Sequence, residues 1–225
     1  MMLNMSWINF DWLKWHADQF GQRLDETILP IYRNAFKLFS DERDKHKTEA
    51  HAPDTPAARL DEGELWSYLG WLDEEFRARR VALAMMIFAL LAREIESFLD
   101  EFLRAVGREF PTDEKFGGKS KLLKRCAEYQ ARFGFDIQKG AGFDTVREIV
   151  LARNDAVHFE SVPQKDYLAQ TETRFLDEAG QLSLTPELLI QVSGELKVFV
   201  FWLAETLTDR VKRQRQAPSP SSLKL

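Results

Sequence analysis

The segment REIVLARNDAVHFE (Arg147–Glu160) has the periodicity of an amphipathic helix and one misfit within it. Val146, Val150 and Val157 recur at helical spacing with Ile149 beside them, which puts them on one face. The remaining member of that stripe is Arg153, three residues after Val150 and four before Val157. A guanidinium therefore stands where the pattern asks for an aliphatic side chain. Arginine seldom occupies a buried stripe unless it is paired or lines a cleft. Asn154 and His158 are four apart and share the neighbouring face. An arginine, an amide and an imidazole close together on one helix point to phosphate chemistry.

The surrounding pattern is helical almost everywhere. Upstream, Gly134–Phe143 (GFDIQKGAGF) reads as a glycine-punctuated loop, with Asp144 expected to cap the motif helix. That loop has no G-x-G-x-x-G and follows a helix rather than a strand, so a dinucleotide site is rejected. Downstream, Pro163 disfavours helix at the residue before it, so the motif helix is expected to end between His158 and Val162. His158 then falls in the last turn, where the helix dipole favours a cation. A short helix is expected over 164–170. Residues 173–184, with Phe175, Leu182 and Leu184 alternating around DEAG, are expected to form a β-hairpin. Thr185 and Pro186 make an N-cap and first-turn pair. The final helix carries Val192, Leu196, Phe199, Leu203, Leu207 and Val211.

Working toward the N-terminus, Lys115 to Arg132 is expected to hold a helix from about Ser120, with Leu122, Leu123, Cys126, Tyr129 and Phe133 on its apolar side. Lys119, Lys121, Lys124, Arg125 and Arg132 lie on the other, opposed only by Glu128. In a chain with net charge −5 this local reversal reads either as the wall of a polyanion groove or as a solvated face. Residues 62–106 are one very long helix or two joined at a kink near Gly70, starting at a capping box formed by Asp61 and Glu64. Glu94 lies at the edge of its apolar stripe, as a candidate partner for Arg153 or as an ordinary boundary carboxylate. Thr48–Leu60 is a proline-containing linker. The first helix, capped by Ser6, carries Trp7, Phe10, Trp12, Leu13, Trp15 and Phe20. These pack under a neighbouring helix or serve an interface. Pro30 is expected to end or kink it.

The bulk properties narrow the function classes. A chain of 225 residues with 44% hydrophobic content can bury a real core. The acidic balance argues against a nucleic-acid binder that relies on global charge. A single cysteine, Cys126, rules out an intrachain disulfide and is read as a core residue. The longest apolar run, Val81–Ala92, falls well short of the ~20 residues that span a bilayer. With no secretory pattern at the N-terminus, a cytoplasmic location is expected. The four histidines show no metal-ligand spacing, and H-E-x-x-H, C-x-x-C, G-x-S-x-G and P-loop patterns are absent. No metal and no cofactor are therefore expected, and Arg153, Asn154 and His158 stand as the best candidates for chemistry.

RNDAVH (Arg153–His158) resembles the R-x4-6-H signature of the HEPN superfamily, including the polar residue that often follows the arginine. The long apolar helix with AREIESFLDEFL before it, and a further long helix after it, are similar to that family's pattern. The resemblance spans roughly 80–212. It implies an all-α, up-and-down helical bundle, taken here over 61–212; the residues themselves read as an N-terminal helical extension and linker (1–60) before it and a disordered tail (213–225) after it. It also implies a metal-independent endoribonuclease of toxin–antitoxin or anti-phage type, leaving 2′,3′-cyclic phosphate and 5′-hydroxyl ends. In that reading His158 is the general acid or base, Arg153 holds the scissile phosphate and Asn154 orients it. Glu94 is a supporting carboxylate, and Lys119, Lys121, Lys124 and Arg125 contact RNA, tRNA among the candidate substrates. A homodimer with a composite cleft is implied, as is a cognate antitoxin or defence partner. Some members carry a tyrosine two residues after the histidine, where this chain has Glu160, so regulation through that tyrosine is not expected. The alternatives are a non-catalytic HEPN module binding RNA, nucleotide or protein, and an adaptor working through its N-terminal tryptophans.

Overall fold

A computed structural model describes residues 10–105, 121–158 and 174–216. These residues are all-α. The helices are α1 (Phe10–Arg23), α2 (Leu29–Ala50), α3 (Glu62–Ala105), α4 (Lys121–Phe133), α5 (Phe143–His158) and α6 (Pro186–Gln216). Among them no helix is long and apolar enough to cross a membrane. Two compact units share the helices. One comprises Met1–Leu24, Ala92–Val150 and Val192–Leu225, the other Asp25–Leu91 and Leu151–Gln191. This partition does not follow the expected boundary at 60/61. Residues 10–24 belong to the first unit and 25–60 to the second.

In the first unit, α1 buries Leu13, Ala17 and Phe20, and Leu24, the residue after it, continues the three-and-four spacing that makes one apolar face. Phe20 meets Phe98 of α3 with ring centroids 5.4 Å apart, and Trp12 meets Phe102 at 5.8 Å. On α4, Leu122, Cys126, Tyr129 and Phe133 form the buried stripe, and the Tyr129 hydroxyl donates to the Leu99 carbonyl at 3.0 Å. Gly134 ends α4 in the left-handed region, φ +70, with its N–H on the Gln130 carbonyl. Asp136 then accepts from Gln138 N–H, and a 3-10 turn (Ile137–Lys139) leads to Gly140 and Gly142.

Those two glycines bring the chain hard against α6. A Cβ on Gly140 would come within 2.3 Å of Trp202 Cζ3, a clash that no side chain tolerates. One on Gly142, at φ +82, would strike the Glu195 carbonyl and come within 3.1 Å of Phe199 Cβ. α5 starts immediately afterwards at Phe143, not after an Asp144 cap. Asp144 sits exposed in the first turn, where its charge suits the helix dipole.

A π-helical turn (Leu24–Ile28) joins α1 to α2 without a gap, and Pro30 follows it in the first turn of α2. The proline therefore does not end the helical run, and the π turn just before it is where the expected interruption falls. α3 opens on the expected capping box. Asp61 Oδ1 accepts from Glu64 N–H at 2.8 Å, and Glu64 Oε2 accepts from Asp61 N–H at 3.0 Å. It continues through Gly70 for 44 residues, resolving the one-or-two question in favour of one helix. Leu72, Phe76, Leu83, Ile87 and Phe88 supply its buried side, and Phe88 meets Phe175 at 4.8 Å. The Tyr32 hydroxyl, fully buried, donates to the Leu184 carbonyl.

No strand forms among the described residues, which corrects the expected hairpin at 173–184. A single antiparallel bridge joins Leu176 and Leu182 around a turn closed by Gly180 at φ +73. The Asp177 carboxylate takes the Ala179 and Gln181 N–H groups, so the turn chemistry was read correctly but the ladder stops after one rung. Thr185 caps α6 through Leu188 N–H at 3.2 Å, as its sequence pairing with Pro186 implies. α6 runs to Gln216, past the expected start of the tail at 213. The expected Ser6 cap, Trp7, the helix over 164–170 and residues 217–225 lie outside the described residues.

Two of the left-handed glycines, Gly134 and Gly142, are predicted to separate in urea denaturation. Gly134→Ala meets nothing within 4 Å and should cost about 1–2 kcal/mol, the backbone penalty alone. Gly142→Ala should add a further ~1–3 kcal/mol for the forced contact with α6. Equal losses would contradict the close approach.

Candidate functional site

The motif occupies the last two turns of α5. Ala152 is buried and Arg153 and Asn154 are half-buried. Arg153 Nε is itself shielded from solvent, so the guanidinium does occupy a partly buried position, as the stripe pattern implies. The backbone stays α-helical through His158. With no wider or tighter turn, positions 153 and 158 stand about 140° apart around the axis. Positions 154 and 158 stand only about 40° apart. The length of an arginine side chain, and not helix distortion, has to bridge the first of these angles. The His158 side chain, Glu160 and Lys119 lie outside the described residues.

Glu94 is engaged elsewhere. Its Oε2 accepts from Arg23 Nε at 2.7 Å, within the first unit. The sequence pattern had not connected those two residues.

The basic side of α4 is corrected in two of its members. Lys124 and Arg125 are both buried. Arg125 grips Asp100 with two bonds, Nε to Oδ1 at 2.6 Å and Nη2 to Oδ2 at 2.7 Å, and Glu96 lies 3.5 Å from Nη1. Its side chain is only 7% exposed. Burial acts to lower its pKa, but the Asp100 hydrogen bond and the Asp100 and Glu96 charges outweigh that and hold it above its ordinary value. Arg132 is likewise occupied, by Glu128 at 2.8 Å and the Leu103 carbonyl at 3.2 Å. An RNA-facing reading survives on α4 only for exposed Lys121. Glu96 and Asp100 are four apart on α3, so both carboxylates stand on one face toward Arg125.

Cys126 is buried, and burial raises its thiol to about 12, so it stays protonated and suits the core reading over a nucleophile. His16, which the motif search had set aside, is packed beside Trp12 at 3.9 Å, with Nδ1 2.7 Å from the Glu101 carboxylate. Burial lowers its pKa below 6.5. Glu101 acts to raise it and Arg23 adds to the lowering, but burial prevails. Among the described residues no group of three or more His, Cys, Asp or Glu is placed to hold a metal ion.

Comparison with protein-family models, with curated proteins and with solved structures returns no match. The functional reading therefore stands on these residues and on the motif resemblance.

Two measurements check the electrostatic description. Arg125→Ala strands two shielded carboxylates and should lower unfolding stability by about 3–5 kcal/mol. Lys121→Ala, on an exposed position, should change it by less than about 0.5 kcal/mol. For His16 the folded state resists the proton that the unfolded chain accepts near pH 6.5. Stability should therefore fall as pH drops below about 6.5. His16→Gln should flatten that part of a pH–stability curve.

Proposed function

We propose that this chain is a HEPN-type endoribonuclease that works without a metal ion. The observation that carries the reading is the hexad Arg153–His158 on the last turns of an unbroken helix in an all-α chain. Arg153 combines partial burial with permanent charge, the state in which a guanidinium holds a phosphate most strongly. His158 closes the same helix, where the negative end of the dipole favours the imidazolium.

In the proposed reaction a His158 imidazole removes the proton of a ribose 2′-hydroxyl. The 2′-oxygen attacks the adjacent phosphorus. The bond from phosphorus to the 5′-oxygen breaks, and an imidazolium returns a proton to that oxygen. The products are a 2′,3′-cyclic phosphate and a 5′-hydroxyl. Arg153 neutralises the charge that builds on the non-bridging oxygens, and Asn154 orients the phosphate or the ring. The chemistry calls for a base and an acid at once. A homodimer pairing two α5 C-termini would supply both from two copies of His158. A toxin or anti-phage role, with a cognate antitoxin or defence partner, follows from the same resemblance.

One observation favours a second reading. Lys124 and Arg125 are turned to internal use, which removes half of the four cations assigned to RNA. A non-catalytic HEPN module binding nucleotide, RNA or protein would need no such groove.

Incubation of the full chain with single-stranded RNA or tRNA in EDTA is predicted to give cleavage. His158→Ala should slow it by about 10²–10⁴-fold with helix content unchanged. Arg153→Ala should also lose at least about 10²-fold. Undiminished cleavage by the His158 variant would overturn the assignment. RNA affinity with no cleavage by the wild type would select the second reading.

A further inference from the structure

Within the second unit lies a cavity of about 550 Å³ that the motif does not account for. α3 presents Arg77 and Arg80 to it, one turn apart on the same face. α2 contributes the Phe36 ring, and the turn after Leu176 contributes Asp177, Ser183 and Thr185. The two arginines differ. Arg77 is already held by Glu74 at 3.0 Å and approaches Asp177 at 3.7 Å. Arg80 is half-buried and makes no ion pair or hydrogen bond among the described residues. A half-buried guanidinium whose fork has no partner among the described residues is poised to take an oxyanion in two parallel hydrogen bonds.

The remaining lining constrains what carries that oxyanion. Asp177 spends Oδ1 on the Ala179 and Gln181 N–H groups, which fixes its carboxylate, and Oδ2 faces Arg77. Glu178 also lines the cavity, so negative charge balances the arginines. A phosphate alone would meet that charge as repulsion with nothing to offset it. A ligand with an anion at one end and hydroxyl donors at the other satisfies both. Phe36 adds a flat apolar wall, and the volume lies in the range of small-molecule sites.

We propose that this cavity binds a nucleoside monophosphate, with its phosphate on Arg80 and Arg77, its sugar hydroxyls toward Asp177 and its base against Phe36. The site is separate from the Arg153–His158 reading and does not depend on it.

The test is isothermal titration calorimetry on the full chain with AMP, GMP, adenosine and inorganic phosphate. At least one nucleoside monophosphate should bind about tenfold or more tightly than either adenosine or phosphate. Arg80→Gln should weaken it by about tenfold or more, the loss of a charge-assisted contact. Arg80→Lys, which keeps the charge but not the fork, should fall between the two. Arg104→Gln, on an exposed arginine in the other unit, should bind as wild type. Circular dichroism confirms that each variant is folded, and the Lys variant carries the comparison if the Gln variant is not. Two outcomes overturn the proposal. In one, no monophosphate binds better than adenosine. In the other, folded Arg80 variants bind undiminished.

Discussion

At Gly140 and Gly142 the backbone approaches α6 so closely that a side chain at either would collide with Trp202 or with the Glu195 carbonyl. The motif helix inherits its position from that contact. α5 begins at the next residue, and Phe143 packs on Phe199 with centroids 5.9 Å apart. Two residues further on, the Thr145 hydroxyl donates to the Glu195 carboxylate. With Val146, Ile149 and Val150 all buried, the first two turns of α5 are fixed both in depth and in rotation. Because the helix then runs without a break to His158, fixing its start fixes the phase at which positions 153, 154 and 158 emerge. The glycine loop thus sets where α5 begins and how its first two turns pack in the first unit.

The charges follow a similar logic. α4 carries a local surplus of cations in an acidic chain, and much of that surplus is consumed in holding α4 to α3. Arg125 binds Asp100 and Glu96, and Arg132 reaches the Leu103 carbonyl. Shielded pairs of this kind add little net stability over apolar packing but are costly to break on one side. They set the register of α4 against α3, since a shift by one residue would withdraw both arginines from their acceptors. His16, between Trp12 and Phe102 and against Glu101, and Arg23, against Glu94, extend the same use of charge to α1.

Features set by neighbours in sequence were legible from sequence alone. The Asp61–Glu64 capping box, the Thr185–Pro186 helix start, the glycine end of α4 and the buried stripes of α3 and α6 all depend on residues within a turn of each other. Arg153 was likewise legible as a charge on a half-buried face. Pairings between distant segments were not. Nothing local joins Arg23 to Glu94, or Arg125 to Asp100, until the helices pack. The hairpin failed for a related reason. Alternation at Phe175, Leu182 and Leu184 met the strand pattern, but those side chains are buried and the Leu184 carbonyl is taken by Tyr32 of α2, so the ladder ends at one bridge.

Everything proposed for Arg153, Asn154 and His158 reduces to one chemical claim: the nucleophile is the neighbouring 2′-hydroxyl of the RNA itself. The end groups of the product record that choice. RNA cleaved by the wild-type chain in EDTA, analysed by mass spectrometry, should carry 2′,3′-cyclic phosphate and 5′-hydroxyl termini, and substrates with a 2′-deoxy residue at the cleaved position should remain intact. Fragments ending in 3′-hydroxyl and 5′-phosphate, or cleavage of the 2′-deoxy substrate, would contradict it.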